Sequence, residues 1–313
     1  MPSNYGYYTA ISPTVWSEMV QVPLYKTLVA LKVCNTRLVD KLTNGKAIQL
    51  PKFGDLSAQQ YYPGTAITVT NQVWTYDTIN VSTYKHCSFY IDDVEALQTN
   101  VATQVDLAGE AGYRLKDAID SFAFGKLTGG ASVGMSACNR NTVFGDSSTG
   151  QVTAASTNII DLFAGARKVL RTGNVEEMGD WCAVVSPRIA SLIEIKGASS
   201  GYNTADATLK NGYAGDFLGF QIYISNNLPT GVISAMSPST LGGPSAAGSA
   251  ITGTVHYFGR KGSIDLILQR APALEIRPVS NMLGRNFITW TVYGAGITTT
   301  NRGRARAIAI IGA

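Results

Sequence analysis

Few residues in the chain have types and spacing that could do chemistry. Gly130-Ala131-Ser132-Val133-Gly134 fits G-x-S-x-G, the turn that lifts a hydrolase serine off the top of a sheet. That turn needs a strand before it and a helix after it. Here a helix and Gly129-Gly130 precede the serine and more loop follows, with His256 the only downstream histidine to act as base. In a chain with 32 glycines the match comes almost free. His86 beside Cys87 suggests a base and a thiol, but adjacent strand residues point to opposite faces. No spacing identifies carboxylates that would complete a metal site around His86 and His256. Neither G-x-x-x-x-G-K-[ST] nor G-x-G-x-x-G is present to cradle phosphate. Asn80-Val81-Ser82 is a glycosylation sequon that matters only in a secreted chain, and Glu176-Glu177 reads as solvated loop. The expectation is a chain without catalytic residues, cofactor or metal.

Composition points the same way. Charged residues make up only 15% and hydrophobic ones 45% of 313 residues, where soluble domains usually carry about a quarter charged. A surface so poor in charge is expected to be covered, most simply by other copies. Cys34, Cys87, Cys138 and Cys182 lie far apart without a C-x-x-C pair, as expected of reduced thiols inside a cell. Residues 1–25 hold no Lys or Arg and no apolar core, so a signal peptide is not expected, and nothing approaches the ~20 apolar residues of a membrane span. Net charge is +4, and the basic excess sits in residues 260–313, where eight Arg/Lys face only Asp265 and Glu275. That suits non-specific phosphate contact at most, or salt bridges between subunits.

Ile91 to Phe124 is the stretch around which the rest is organised. Asp92 and Asp93 suit a helix start, where carboxylates accept free backbone N–H groups. Apolar residues recur at Val94, Leu97, Val101, Val105, Ala108, Gly112, Leu115, Ile119 and Phe122, in steps of three and four. An unbroken helix there would be roughly 45 Å long at about 1.5 Å per residue; Gly109 and Gly112 mark where it would divide into two ordinary helices instead. Ahead of it, Ala47–Tyr90 alternates β-branched, aromatic and polar residues around a turn-rich loop, Gly54–Gly64, which predicts a long hairpin. Its tip has too little apolar content for a core of its own. Gln60, Tyr61 and Tyr62 are therefore expected to bury against a neighbour, and Tyr5, Tyr8 and Trp16 suggest a docking N-terminal arm. Helices are predicted at Thr157–Thr172 and from Pro187 through Ile195. Strands are predicted at Cys182–Ser186, Phe217–Ser225, Thr254–Phe258, Ile264–Leu268 and Ala305–Ile311.

The order of these parts resembles the major capsid protein of tailed double-stranded DNA bacteriophages, the HK97-like fold. The carrying residues are IDDVEAL, LKDAIDSF, NIIDLFAGARKVLRTGNV, WCAVVSPRIASLIE, GDFLGFQIYISNNLP and TWTVYGAGITTTNRGRA. The resemblance implies an α+β chain divided into an N-terminal arm (1–46), an E-loop hairpin (47–90), a P-domain with its spine helix (91–154), an A-domain (155–272) and returning P-domain strands (273–313). It implies self-assembly into hexamers and pentamers of an icosahedral shell around packaged double-stranded DNA. The implied partners are a separate scaffolding protein, a portal and a cement or decoration protein, with no membrane. The implied location is the virion, with assembly in the host cytoplasm. Some relatives cross-link an E-loop lysine to a neighbour, but Gly54–Gly64 holds no lysine here. A cellular, encapsulin-like compartment shell is the alternative.

Overall fold

The fold is that of a computed structural model. It describes residues 25–39, 41–54, 58–67, 71–94, 103–127, 159–172, 180–199, 216–233, 251–279, 282–298 and 305–311, together with Leu56, Val69, Val152, Thr153 and Val175. Trp181–Val185 (β5) is WCAVV, buried at every position. A strand that is apolar without alternation must be covered on both faces, and this one is. Trp181, Ala183 and Val185 join one core cluster, while Cys182 and Val184 join another.

The first cluster is closed by helices α3 (Ile159–Thr172) and α4 (Pro187–Ser199), through Leu162, Phe163, Leu170 and Ile189. Phe163 meets Phe217, Phe220 and Phe258 edge-on, with centroids 5.0, 6.0 and 5.1 Å away. Around β5 a seven-stranded sheet takes the order β4 (Val152–Thr153), β12 (Ala305–Ile311), β9 (Ile251–Arg260), β5, β7 (Phe220–Ile224), β6 (Asp216–Phe217), with β8 (Thr230–Ile233) beside the start of β9. The parallel β5–β7 pair is bridged by α4, as a parallel crossover requires.

A second sheet of three long strands takes the order β10 (Asp265–Pro278), β11 (Gly284–Gly296), β3 (Thr83–Asp92). Helix α2 (Thr103–Gly125) lies against it. Phe124, Leu127 and Ile119 of that segment, Tyr257 of β9, and Leu266 and Tyr293 of the long strands make the other cluster. The two sheets therefore share a core through α2.

Several expectations change here. Ile91 and Asp92 are strand residues, paired with Arg285 and Gly284, although the Asp92 carboxylate still accepts the Val94 N–H at 2.8 Å. Helix α2 runs unbroken through Gly109 and Gly112, with Ala111, Leu115 and Ile119 buried. The 23 residues of Thr103–Gly125 span roughly 35 Å at about 1.5 Å per residue, and Asp93 and Val94 are helical as well. Residues 95–102, with Leu97 and Val101, lie outside the described part, as does Gly130–Gly134. The hairpin proper is β1 (Ala47–Phe53) with β2 (Trp74–Asn80), whereas Thr83–Tyr90 belongs to the three-stranded sheet. Phe217–Ser225 is not one strand but a tight hairpin, turning at Leu218 (φ 49°) and Gly219 (φ 82°). The C-terminal β12 pairs with β9 and β4 in the seven-stranded sheet rather than returning to the sheet of β10 and β11.

Asp120 is the polar centre of the α2 core, with only 2% of its surface exposed. Its Oδ1 accepts the N–H groups of Val29 at 2.8 Å and Ala30 at 2.6 Å, which cap α1 (Ala30–Val33) from across the fold. Its Oδ2 accepts the Asn227 amide at 3.0 Å, which also donates to Asp117 at 2.6 Å. Lys26 closes the set, 3.0 Å from Asn227 Oδ1 and 3.9 Å from Asp117.

Asp120→Ala should strand these donors, at roughly 1–3 kcal/mol for each buried group left unpaired. Against a total of about 5–15 kcal/mol the free subunit should melt far lower, with Asp120→Asn in between; thermal melts of the three proteins check this. A second expectation concerns His256, buried in β9 with Nδ1 accepting the Ser186 N–H at 3.2 Å and Nε2 without a partner among the described residues. Burial pushes its pKa down to about 3, from an unfolded value near 6.5. Folding thus favours the neutral ring: its stability contribution is complete above about pH 6.5 and is lost as pH falls from there toward 3, by at most about 1.4 kcal/mol per unit. Between pH 6.5 and 5, above most carboxylate titrations, the melting temperature of the subunit should drop. His256→Gln should flatten that drop.

Candidate subunit interface

The β1–β2 pair is a two-stranded ribbon, a form marginal in water without further packing. Its register puts Ile48 opposite Ile79, Leu50 opposite Asp77 and Lys52 opposite Thr75 on one face. At the base that face is anchored, since Ile48, Leu50 and Ile79 pack with Leu42, Ile267 and Val292. The anchoring is close because β11 offers glycines there. A Cβ on Gly294 would sit on the Asn80 carbonyl oxygen and 3.0 Å from the Val81 Cα, and one on Gly296 would lie 3.2 Å from Ile79 Cγ2.

The other face carries Pro51 opposite Tyr76 and Phe53 opposite Trp74. It is bare. Phe53, Trp74 and Tyr76 are 62%, 68% and 65% exposed, with Phe53 and Trp74 edge to face at 5.7 Å. Beyond the strands Leu56, Tyr61, Tyr62, Ile67, Val69 and Val73 are also exposed. Tyr62-Pro63-Gly64-Thr65 forms a type II turn there, with Gly64 at φ 86° and the Thr65 N–H on the Tyr62 carbonyl at 3.1 Å. Contiguous apolar surface of this kind marks a contact site. Of the residues expected at an interface, Gln60, Tyr61 and Tyr62 are exposed near this turn. Tyr5, Tyr8 and Trp16 lie outside the described residues. The stem aromatics read from sequence as strand residues and not as interface residues; their signal was the alternation of Pro51 with Phe53 and of Trp74 with Tyr76.

The three-stranded sheet that carries the ribbon is stiffened on its outer face. Glu275 accepts from Arg277 at 2.7 Å and the Trp290 indole at 2.9 Å, and pairs with Arg270, whose guanidinium lies 3.7 Å above the Trp290 ring. The Arg277 hydrogen bond, then that from Trp290, holds the Glu275 carboxyl below its usual range. Among the described residues catalytic groups do not converge. His86 is exposed on β3 and paired with Trp290, Cys87 faces the other way, and His256 is buried in the other sheet. Burial raises the Cys34 thiol and pushes Cys182 up to about 12, so neither is a nucleophile. A cleft beside α3 is lined by Ala164, Arg167, Lys168, Arg171 and Leu218, cations without a base or nucleophile. Among the described residues no His, Cys, Asp and Glu gather as a metal site, and no helix is long and apolar enough to cross a membrane.

Residues 75–311 match the family model described as phage capsid protein. The chain belongs to this family. Its fold is HK97-like. A chain from Mycobacterium phage Che8 superposes with a TM-score of 0.71 at 17% identity, over 96% of this chain and 97% of that one. The capsid of cyanophage P-SCSP1u gives 0.69 at 15%, over 97% and 94%, and the mature capsid of bacteriophage PhiM1 gives 0.65 at 14%, over 97% and 93%. No curated protein sequence matches. A phage capsid protein is a structural component of the virion, and the family match disfavours the encapsulin-like compartment. The likeness to these capsids extends along nearly the whole chain, bare ribbon included.

Gly294→Ala tests how the capsid ribbon is held. The new methyl must displace the Asn80 carbonyl, so the ribbon base should detach from β11. Hydrogen exchange should rise at Ile79–Val81 and across β1, with a melting temperature below wild type. Unchanged protection would mean that the close approach does not hold the ribbon.

Proposed function

We propose that the chain is the major capsid protein of a tailed phage, assembling as hexamers and pentamers into an icosahedral shell around double-stranded DNA. One observation carries this: a chain of the capsid family holds out a ribbon whose exposed aromatics its own core cannot cover. Only another copy, repeated many times, supplies that cover economically, and closed symmetry is how such contacts end. The chemistry required of each subunit is complementarity, not catalysis. A low charge content leaves neutral polar and apolar surface, which tolerates the slightly different neighbours of five-fold and six-fold rings.

The division into N-terminal arm (1–46), E-loop, P-domain and A-domain serves this role. We place the E-loop at the β1–β2 ribbon, the P-domain at α2 with the three-stranded sheet, and the A-domain at the seven-stranded sheet. Assembly in the host cytoplasm would involve a scaffolding protein, a portal and a decoration protein as separate chains. DNA contact is modest and not sequence-reading. Of the C-terminal cations, Arg260 lies on Asp180, Arg270 and Arg277 on Glu275, and Arg285 within 3.9 Å of Asp93. Contact with phosphate of this kind is weak and is lost as salt rises.

Deleting Asp55–Pro63 removes the ribbon tip with Gln60, Tyr61 and Tyr62 and spares all three core clusters. The subunit should stay folded by circular dichroism and stop forming closed particles in negative-stain images. Normal particles from the deletion would mean that the tip is not part of the assembly contact.

A further inference from the structure

The three-stranded sheet treats its two edges differently. On β10 the edge is interrupted: the register shifts between Leu268 and Arg270 and again before Ala273, with Pro272 in the gap. The start of β10 is also covered, since Asn35 bridges Asp265 and its carbonyl accepts the Leu266 N–H at 3.0 Å. A proline and a bulge are common guards of a sheet edge. The edge on β3 has neither. Its ten residues pair with β11 without a shift from Thr83 to Asp92, and they include no proline or glycine. The seven-stranded sheet, by comparison, ends on the two-residue strands β4 and β6.

The alternation of the ladder fixes which groups of β3 point outward. The Asp93 N–H donates to the Leu283 carbonyl at 3.2 Å, one step beyond the pair of Asp92 with Gly284. The Val279 N–H on the Gly284 carbonyl, at 3.5 Å, sets the same alternation from the β10 side. Odd positions of β3 therefore bond to β11, and even positions turn their N–H and C=O groups away from it. Among the described residues nothing takes the outward groups of Tyr84, His86 and Ser88, and all three residues are exposed. Charge on the strand is divided as well, with Lys85 near its start and Asp92 and Asp93 at its end.

Resting on the capsid reading, we propose that this edge joins two copies, β3 of one pairing antiparallel with β3 of another about a two-fold axis at Ser88. An antiparallel edge meets its own copy N–H to C=O, so no second surface is needed. Ser88 then faces Ser88, and Tyr84 faces Asp92. Lys85 faces Ile91, with Asp93 diagonally placed within a long side chain's reach. Each copy's cation lies beside the other's carboxylates, whereas parallel pairing would set like charge beside like. A surface that binds itself is used up by one partner. Such a contact cannot run around a ring of five or six, so it links copies of two different rings. Two three-stranded sheets become one continuous sheet across that boundary.

The test places one cysteine at the axis, Ser88→Cys together with Cys87→Ser, in the full chain. A directly opposed, hydrogen-bonded pair has its Cα atoms about 5.5 Å apart, within the span of a disulfide. Assembled particles are oxidised with copper–phenanthroline, run on a non-reducing gel and mapped by mass spectrometry. The expected product is a dimer of chains linked through position 88 of each. Closed particles without that product, or with links from position 88 to another segment, overturn the pairing. The unmodified chain is the separate control: its failure to close particles sinks the shell reading, whereas closed particles without the product sink only this pairing. A second variant, Ser88→Pro, deletes an outward N–H that β11 does not use, so the free subunit should keep its melting temperature. Its closed-particle yield should fall at least about tenfold, because the lost hydrogen bond recurs at every such contact. Wild-type yield from a folded Ser88→Pro subunit would also overturn the proposal. The cysteine result decides whether or not the proline variant folds.

Discussion

A carboxylate buried in the middle of a capsid subunit sets where the main pieces lie. Asp120 sits in a helix that packs on one sheet, and its two oxygens hold a segment entering from the N-terminal side and a turn belonging to the other sheet. Burying a charge is costly unless each lone pair finds a donor. The donors come from residues about 90 and 107 positions away. The carboxylate therefore admits one arrangement of these three parts, while hydrophobic burial alone would tolerate sliding. Lys26 against Asp117, and Tyr25 against Tyr113 with centroids 4.2 Å apart, continue the same line. Together they lay the entering chain parallel to the helix, Tyr25 at Tyr113 and Val29 at Asp120.

With the body fixed in this way, the outward elements can be spare. The ribbon has a single anchored face and a glycine-mediated close approach at its base, and its remaining surface is left exposed for the proposed contact with other copies. Trp290, Arg270 and Glu275 brace the sheet that carries the ribbon. Subunit stability and assembly are thereby assigned to different residues. Core positions such as Phe163, Tyr257 and Leu266 decide whether a subunit exists, and the exposed aromatics are proposed to decide whether it has neighbours.

What could be read from sequence follows the range of the interactions that encode each part. WCAVV announces a strand buried on both faces, and Pro187 opens the helix after it, because both signals are local. The alternation in 47–53 and 74–80 gives the ribbon. The helix through Ala111, Leu115 and Ile119 is likewise written in steps of three and four. Partnership of strands is not local. Thr83–Tyr90 reads as the continuation of the hairpin, but its hydrogen-bond partner is Asn286–Tyr293, some 200 residues on. The same limit hides the placing of 305–311 beside β9. Leu218 in a left-handed turn defeats composition directly, since a leucine there carries no turn signal. At the interface, the tip tyrosines stood out as aromatics in a polar loop. The stem face needed the register before Pro51, Phe53, Trp74 and Tyr76 could be placed side by side.

The glycine contact at the foot of the ribbon has a mechanical consequence. Backbone meets backbone there, with no flexible side chain between, so the attachment behaves as a clamp and not as a pivot. A clamped strip answers a sideways load by twisting along its length, and two strands joined by a single ladder are soft in torsion. Differences of curvature between five-fold and six-fold surroundings would then appear as graded twist from Asn80 toward Trp74, with the foot of the strip unmoved.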